Sequence, residues 1–380
     1  MKRVVYVDHV PVLSGAELAL CSLLSRLDRS RWQPAVILSA AGPLEERLRK
    51  VGIPVEILPM PAMLLGRSPL RRGAFLNPLR DAGGLAYVAR LASRLRNRAD
   101  LIHANSLRAC VLAGAAAALA GLPDVWQIHS VVAPPMIPPQ ASRFLRFLAG
   151  RLPSQVIFNS RAAAACFNLP RERVSVVSPG VDGELFAPAE HPSRPAVRVG
   201  MIARLAPLKG QHVFIEAAQR LAEAHPQMEF LIAGTPLFGE EDYAQQLRRQ
   251  AEKGPHGDRI RFLGFVEDVP GLMRDLDVVV HASTLPEAFG QVIVEAMLSG
   301  RPVVATAIGG PAEIIEDGVT GRLVPPSDAG ALAAGIAAVT SDQTAAATMA
   351  RRARVLALDR FDIGRTTREV EAVYEKALAA

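Results

Sequence analysis

Short apolar runs bounded by turn residues recur along the chain, separated by stretches in which apolar positions return every three or four residues. In the first half they read "RVVYVD", "AVILS", "VEILP", "LIHANS", "VWQIHS", "QVIFNS" and "VSVVSP"; in the second, "VRVGMIA", "MEFLIAG", "RIRFLGF", "DVVVHAS", "PVVAT" and "RLVPP". Most are apolar almost throughout instead of alternating, as strands covered on both faces must be, and the helical stretches between them supply the covers. The predicted class is α/β with parallel sheets. Thirteen such runs are too many for one twisted open sheet, so two sheets are expected.

A break in the pattern divides the two series. "FAPAEHPSRPAVR" is proline-rich and has no apolar periodicity, and Pro179 leads into it. It predicts a first domain over 1–186, a linker over 187–196 and a second domain over 197–358. A helix is expected at Thr344 to Leu356 and a last one from about Asp359 to Leu378. The pattern leaves open whether that last helix, within 359–380, packs on its own domain or crosses back.

Composition narrows the setting. A chain of 380 residues, 50% of them hydrophobic, can bury two cores. The opening "MKRVVYVD" reads as a buried strand, not a signal region, and no run of about 18 apolar residues follows, so a cytoplasmic protein is expected. Cys21, Cys110 and Cys166 lack metal-ligand spacing and read as reduced, buried thiols.

The net charge of +6 is unevenly placed: residues 1–186 hold 23 Lys+Arg against 12 Asp+Glu, whereas the rest is acidic. Arg67, Arg71, Arg72, Arg80, Arg90, Arg94, Arg96 and Arg98 crowd one region with a single acid, Asp81. Arg143, Arg146 and Arg151 punctuate "RFLRFLAGRL". Such a surface suits an anionic membrane or a phosphate-bearing substrate, or is simply solvated. Zinc-finger spacing and aromatic RNA-binding strands are missing from the sequence, which argues against nucleic acid.

In parallel sheets ligands gather beyond the carboxyl ends of the strands. The loops there are "DHVPVLSGAE", the His129–Ser130 pair, "ARLAPLKG", "AGTPLFG", "STLPEAFG" and "AIGGPAE". Gly15 opens a helix where backbone N–H groups favour a phosphate, although glycine at a helix start also serves simple chain geometry. Arg204 and Lys209 share one loop and could neutralise a diphosphate, or stand as two solvated cations. Glu287 lies in the loop "PEAFG" and Glu295 in the helix "QVIVEAML", with no neighbouring base to pair either. The N–H groups of Phe289, Gly290 and Gln291 can meet an anion at that helix start, with a glutamate on either side for hydroxyl groups. His129, at a strand end, reads alone more often as a structural histidine than as a functional one.

Taken together, "SGAE", "ARLAPLKG", "LGFVEDV", "PEAFGQVIVEAMLSGRPVVAT" and "GGPAEIIEDGVTGRLVPP" resemble the retaining glycosyltransferases of family 4, the group 1 transferases of GT-B fold. The resemblance runs over essentially the whole chain and is strongest from Val197 to Pro326. It implies two Rossmann-like domains facing a cleft, with the last helix returning to the first. It also implies a nucleotide diphosphate sugar as donor substrate and no cofactor; no metal is expected, since no acidic metal-binding motif such as Asp-x-Asp stands in a matching context. Arg204 and Lys209 would then bind the diphosphate, Glu295 the ribose and Glu287 the transferred sugar, with backbone donors at Phe289, Gly290 and Gln291. Gly15 would meet the phosphate from the opposite domain, and His129 would lie near the reaction centre. The expected catalytic set is His129, Arg204, Lys209 and Glu287. The chain departs from the family pattern at Ser14, where glycine commonly stands, and at Ser178, where asparagine is frequent.

The implied reaction moves a hexosyl unit to a glycan or lipid-linked saccharide with retention; the basic surface separately predicts peripheral docking at the cytoplasmic face of an anionic membrane, through Arg67, Arg71, Arg72, Arg143 and Arg146. Two alternatives remain at this stage. A nucleotide-sugar epimerase would need no acceptor, and a nucleotide-sugar-binding protein would show no turnover; product analysis separates all three.

Overall fold

The computed structural model describes residues 1–61, 82–189, 197–254 and 256–379. Arg67, Arg71, Arg72 and Arg80, and most of the 187–196 stretch, lie outside them. The chain forms two compact units, Met1–Gly180 with Ile363–Ala380, and Val181–Asp362.

Each of the thirteen apolar runs contains a strand. In the first unit these are β1 (Lys2–Asp8), β2 (Trp32–Leu38), β3 (Val55–Ile57), β4 (Leu101–Ala104), β5 (Asp124–Ile128), β6 (Gln155–Phe158) and β7 (Val174–Val176). The second holds β8 (Val197–Ile202), β9 (Met228–Ala233), β10 (Ile260–Gly264), β11 (Val278–His281), β12 (Val303–Thr306) and β13 (Arg322–Val324). Every pairing is parallel. The strand orders are β3-β2-β1-β4-β5-β6-β7 and β10-β9-β8-β11-β12-β13. Both are Rossmann-like, and both reverse direction of travel between their first and fourth strands, where a crevice opens beyond the strand ends.

Period-two alternation assigns the strand residues to two cores. Val5 and Val7 pack with Leu91, Leu112 and Leu145 on one face of the first sheet, while Val4 and Tyr6 pack with Leu20, Leu24 and Leu44 on the other. The helices carrying the first group are α3 (Ala82–Leu95), α4 (Leu107–Ala120) and α5 (Pro139–Ala149). Those carrying the second are α1 (Gly15–Arg26) and α2 (Pro43–Lys50). The short α6 (Arg161–Ala164) follows β6.

The second unit repeats the plan with α7 (Gln211–Ala224), α8 (Glu241–Lys253), α9 (Val269–Asp275), α10 (Gln291–Leu298), α11 (Pro311–Ile314), α12 (Ala329–Ser341) and α13 (Gln343–Arg360). Phe230 and Ile232 face α7 and α12, whereas Val279, Val303 and Ala305 share a core with Ile293 and Met297 of α10.

The last helix, α14 (Ile363–Ala379), belongs to the first unit. Val370, Val373, Tyr374 and Ala377 recur at helical spacing and enter the core beneath β1. The Tyr374 hydroxyl lies 2.7 Å from that of Tyr6 and 2.8 Å from Nδ1 of His103, whose Nε2 reaches Oε1 of Gln127 at 2.8 Å. Burial pushes His103 down to about 3, so this ring is a neutral hydrogen-bonding member of the core.

The sequence boundaries shift. The crossing into the second unit falls at Gly180–Val181, ahead of the proline-rich stretch, because Val181 donates its N–H to Phe361 O at 2.9 Å and Phe186 is buried beside Phe289. The helix expected to end at Leu356 continues to Arg360, and α14 starts at Ile363.

The cysteines are free thiols, with Cys21 and Cys110 buried but Cys166 half-buried. Part of the arginine surplus is paired internally: Arg94 and Arg98 both reach Glu56, at 3.0 and 2.7 Å. Arg151 instead lies over the exposed Phe147 ring, 3.8 Å from its centroid. No described helix is long and apolar enough to cross a membrane.

Candidate active site

In the second unit the switch point lies between β8 and β11, and the loops after these strands carry the expected charged residues. The first, residues 203–210, is bent back by Gly210, whose φ is +78°. A Cβ there would stand 1.9 Å from Ala282 O, so only glycine lets this loop close on the strand end. Gln211, fully buried, braces the loop by donating to Arg204 O at 2.8 Å.

Lys209 Nζ pairs with Glu287 Oε2. The same oxygen accepts from Ser283 Oγ at 3.1 Å and faces His281 Nε2 at 3.5 Å. Burial works against the Glu287 carboxylate, but Lys209 and His281 outweigh it and hold its pKa well below the ordinary value. Glu287 looked unpaired in the sequence because its cation comes from a loop 78 residues earlier.

The loop "PEAFG" is fixed by "IGG". Gly310 N–H donates to Glu287 O at 2.7 Å. Gly309 and Gly310 pack backbone to backbone on it; a Cβ on Gly310 would lie 2.4 Å from Phe289 O. Gly290, at φ +98°, caps α10. The N–H groups of Phe289, Gly290 and Gln291 bond to no other group among the described residues, leaving the start of α10 open to an anion. The Phe289 ring is buried edge-on against Phe361.

Glu295 is half-buried one helical turn below Gln291, whose Nε2 donates to it at 3.1 Å. Burial pushes Glu295 up to about 7, only partly offset by Gln291. Arg204 makes no ion pair among the described residues. Its guanidinium lies 5.5 Å from the ring centroid of Phe238, an exposed residue at φ +61°, and burial draws its pKa down despite Glu240 and Glu287.

The first unit places Gly15 and His129 at the ends of the loops after β1 and of β5. Gly15 is exposed at the start of α1, and a Cβ on it would meet nothing within 4 Å. Its helix is capped by Ser14, which bonds reciprocally with Glu17. Burial and the charge of Asp8 push Glu17 up to about 7. His129 is half-buried, its Nε2 3.0 Å from Asn105 Oδ1. Asn105 Nδ2 in turn donates to Asp8 Oδ2 at 2.8 Å, and His9 Nδ1 lies 2.6 Å from Ser106 Oγ.

The structure thus joins Lys209 to Glu287, brings Arg204 within electrostatic reach of Glu287, and sets Glu295 apart on α10. It adds Asp8, His9, Asn105, His281 and Ser283, which the sequence reading did not single out. One signal marks most of them: a polar residue at the very end of an apolar strand, as in "YVD", "IHAN" and "VVVHAS".

The family described as Glycosyltransferase Family 4 matches residues 13–185, and that described as Glycosyl transferases group 1 matches residues 184–356. HepE of Anabaena, solved with UDP and glucose, superimposes with a TM-score of 0.86 at 32% identity, over 99% of this chain and 100% of that one. A D-inositol 3-phosphate glycosyltransferase of Mycolicibacterium smegmatis is 32% identical over 241 residues, 61% of this chain and 54% of that protein. A phosphatidyl-myo-inositol mannosyltransferase of the same organism is 35% identical over 176 residues, 46% and 43% of the two chains. The chain spans about half the length of these curated relatives. With two Rossmann-like units, each matched by its own half of the family, and a full-length structural relative, the chain belongs to the family 4 glycosyltransferases of GT-B fold.

Proposed function

We propose that this glycosyltransferase moves a hexosyl unit from a nucleotide diphosphate sugar to a glycan or lipid-linked saccharide, with retention and without a metal. The observation that carries the reading is the open N-terminus of α10 beside Lys209, Arg204 and Glu287 at one switch point. In this reading Arg204, Lys209 and the N–H groups of Phe289, Gly290 and Gln291 hold the diphosphate and stabilise the charge that grows on it as the glycosidic bond breaks. Glu287 accepts from hydroxyls of the transferred sugar and Glu295 from the ribose. The acceptor hydroxyl attacks from the face that the diphosphate leaves, which retains configuration. Gly15, with open space around it, lets a phosphate approach the start of α1, and His129 contacts the sugar.

HepE, the relative solved with UDP and glucose, supports a uridine donor, and the inositol-phosphate and phosphatidylinositol transferases support a hydroxyl acceptor on a polar or lipid-borne head group. The basic, Phe-bearing α5, with Arg143 and Arg146, suits peripheral docking on the cytoplasmic face of an anionic membrane, in the service of surface polysaccharide or glycolipid synthesis. Cosedimentation with anionic vesicles that is insensitive to salt would count against the docking.

The test of the main reading is calorimetric titration with UDP, GDP and ADP and their hexose derivatives, on the wild type and on Glu295→Ala. Binding of one nucleotide series, weakened in the variant, is expected. Equal binding by both proteins, or binding of none, overturns the donor assignment.

A further inference from the structure

At the switch point of the first sheet, three side chains form a relay whose hydrogen-bond directions follow from chemistry alone. Asp8, at the end of β1, is 1% exposed. Burial opposes its charge, but His9, Asn105 and the Val10 N–H outweigh that and hold its pKa below the ordinary value. The proton of this acidic cluster belongs instead on Glu17, which the Asp8 charge helps to raise. An ionised carboxylate accepts and cannot donate. Both of its oxygens are engaged: Oδ1 takes the Val10 N–H at 3.1 Å and faces His9 Nδ1 at 3.7 Å, and Oδ2 takes Asn105.

Asn105 is fully buried after β4, and its backbone N–H is anchored on Val7 O at 3.1 Å. Facing an acceptor-only partner, its side chain must present the NH2 group to Asp8. The carbonyl Oδ1 is then left for His129 Nε2, 3.0 Å away. An amide oxygen also accepts and cannot donate, so the ring proton must sit on Nε2 and the lone pair on Nδ1. His129 makes no other hydrogen bond among the described residues. Burial pushes it down to about 4, against the pull of Asp8, so the ring stays neutral at physiological pH.

We infer that Asp8 and Asn105 are positioning residues that lock His129 in its Nε2–H tautomer, so that Nδ1 offers a hydrogen-bond acceptor to a substrate hydroxyl. The substrate half of this inference rests on the proposed transferase function; the tautomer half does not. The lock narrows what His129 does. Nδ1 has no proton to give, and the Nε2 proton is committed to Asn105, so at neutral pH the ring cannot serve as acid to the departing diphosphate. It selects a group that donates, as a sugar hydroxyl does.

The test is long-range proton–nitrogen correlation on full-length protein labelled with 15N-histidine at pH 7.5, with the His129 signals identified by their loss in His129→Gln. The nitrogen coupled to both ring carbon protons, Nε2, is expected to be the protonated one. In Asn105→Leu, which removes the acceptor, and Asp8→Asn, which frees the amide to flip, the signals should move toward a tautomer mixture. Turnover of UDP-hexoses should fall by about tenfold to a hundredfold with donor KM little changed. The wild-type spectrum needs no variant to fold: a protonated Nδ1 overturns the lock, as do variants that keep the wild-type tautomer. A shifted tautomer with unchanged turnover overturns the substrate role. A wild type with the expected spectrum that neither binds nor turns over any nucleotide sugar overturns the transferase reading and leaves the lock standing.

Discussion

Lys209 and Glu287 form an ion pair across 78 residues of sequence, with their loops meeting where the second sheet reverses its strand order. Each partner is largely buried, at 21% and 16% side-chain exposure, so the pair is shielded from water without being dry. Lys209 keeps the carboxylate ionised, and in the proposed function an arriving diphosphate would compete for the same ammonium. The proposed donor site is therefore preorganised before the donor binds.

Removing the cation strands the carboxylate. Lys209→Met is expected to lower stability at pH 7 by about 1–3 kcal/mol, below the cost of breaking a fully buried pair because both groups keep some solvent. Glu287 has a depressed folded-state pKa, so its contribution is present above the unfolded value of about 4.3 and is lost as pH falls below it. The gap between wild type and variant, read from urea midpoints, should therefore close below about pH 4. A gap independent of pH would show that the lysine acts through packing.

Glu295 has the opposite sign. Its pKa is raised to about 7 by burial, so the folded state holds a proton that the unfolded chain releases near pH 4.3. Stability should decline as pH rises between those values, and Glu295→Gln should remove the decline, gaining on the order of 1–3 kcal/mol at pH 8. At pH 8, where the Glu295 carboxyl is ionised, the same variant should bind the nucleotide donor about tenfold or more weakly, through loss of a charged hydrogen-bond acceptor. Denaturation and titration on one protein sample check both halves.

Two glycines should respond oppositely. Gly310→Ala drives a Cβ into the backbone of Phe289, so the loop must move; a loss of about 2 kcal/mol or more and of donor binding is expected. Gly15→Ala meets open space and should leave the melting temperature unchanged or slightly raised. If a phosphate approaches that helix start, turnover falls all the same. Full turnover in Gly15→Ala would remove Gly15 from the donor site.

Tyr374→Phe deletes a hydroxyl shared with Tyr6 and His103 in a fully buried core. A cost of about 1–3 kcal/mol is expected, because the partners are left unsatisfied. Hydrogen exchange should localise the loss to the first unit and leave α10 protected. Uniform loss across both units would contradict the assignment of α14 to the first.

The strands were legible because a parallel sheet covered on both faces demands near-continuous apolar runs, and these runs stand out against the polar turns. The reversal of strand order was not, since order depends on which strands pair, and sequence shows only which exist. At the site, Arg204, Lys209 and Glu287 could be named from their loops, but the Lys209–Glu287 pair could not: it needs Gly210 folded against Ala282 and Gly310 against Phe289. Asp8 and Asn105 were hidden for a simpler reason. Each is a polar residue at the end of an apolar strand, and the two bond to each other across 97 residues of sequence. The sequence places a linker at the proline-rich stretch, whereas the two compact units divide at Gly180–Val181, where Val181 pairs with the end of α13.

The position of α14 also constrains the order in which the protein can be built. Synthesis delivers residues 1–180 first, yet Val370, Val373 and Tyr374, which fill the space beneath β1, emerge only after the entire second unit. The usual sequence of N-terminal domain first is therefore reversed for completion. The second unit has all its own residues while the first still exposes Tyr6, Leu24 and Trp32 to solvent, waiting on the last helix to leave the ribosome.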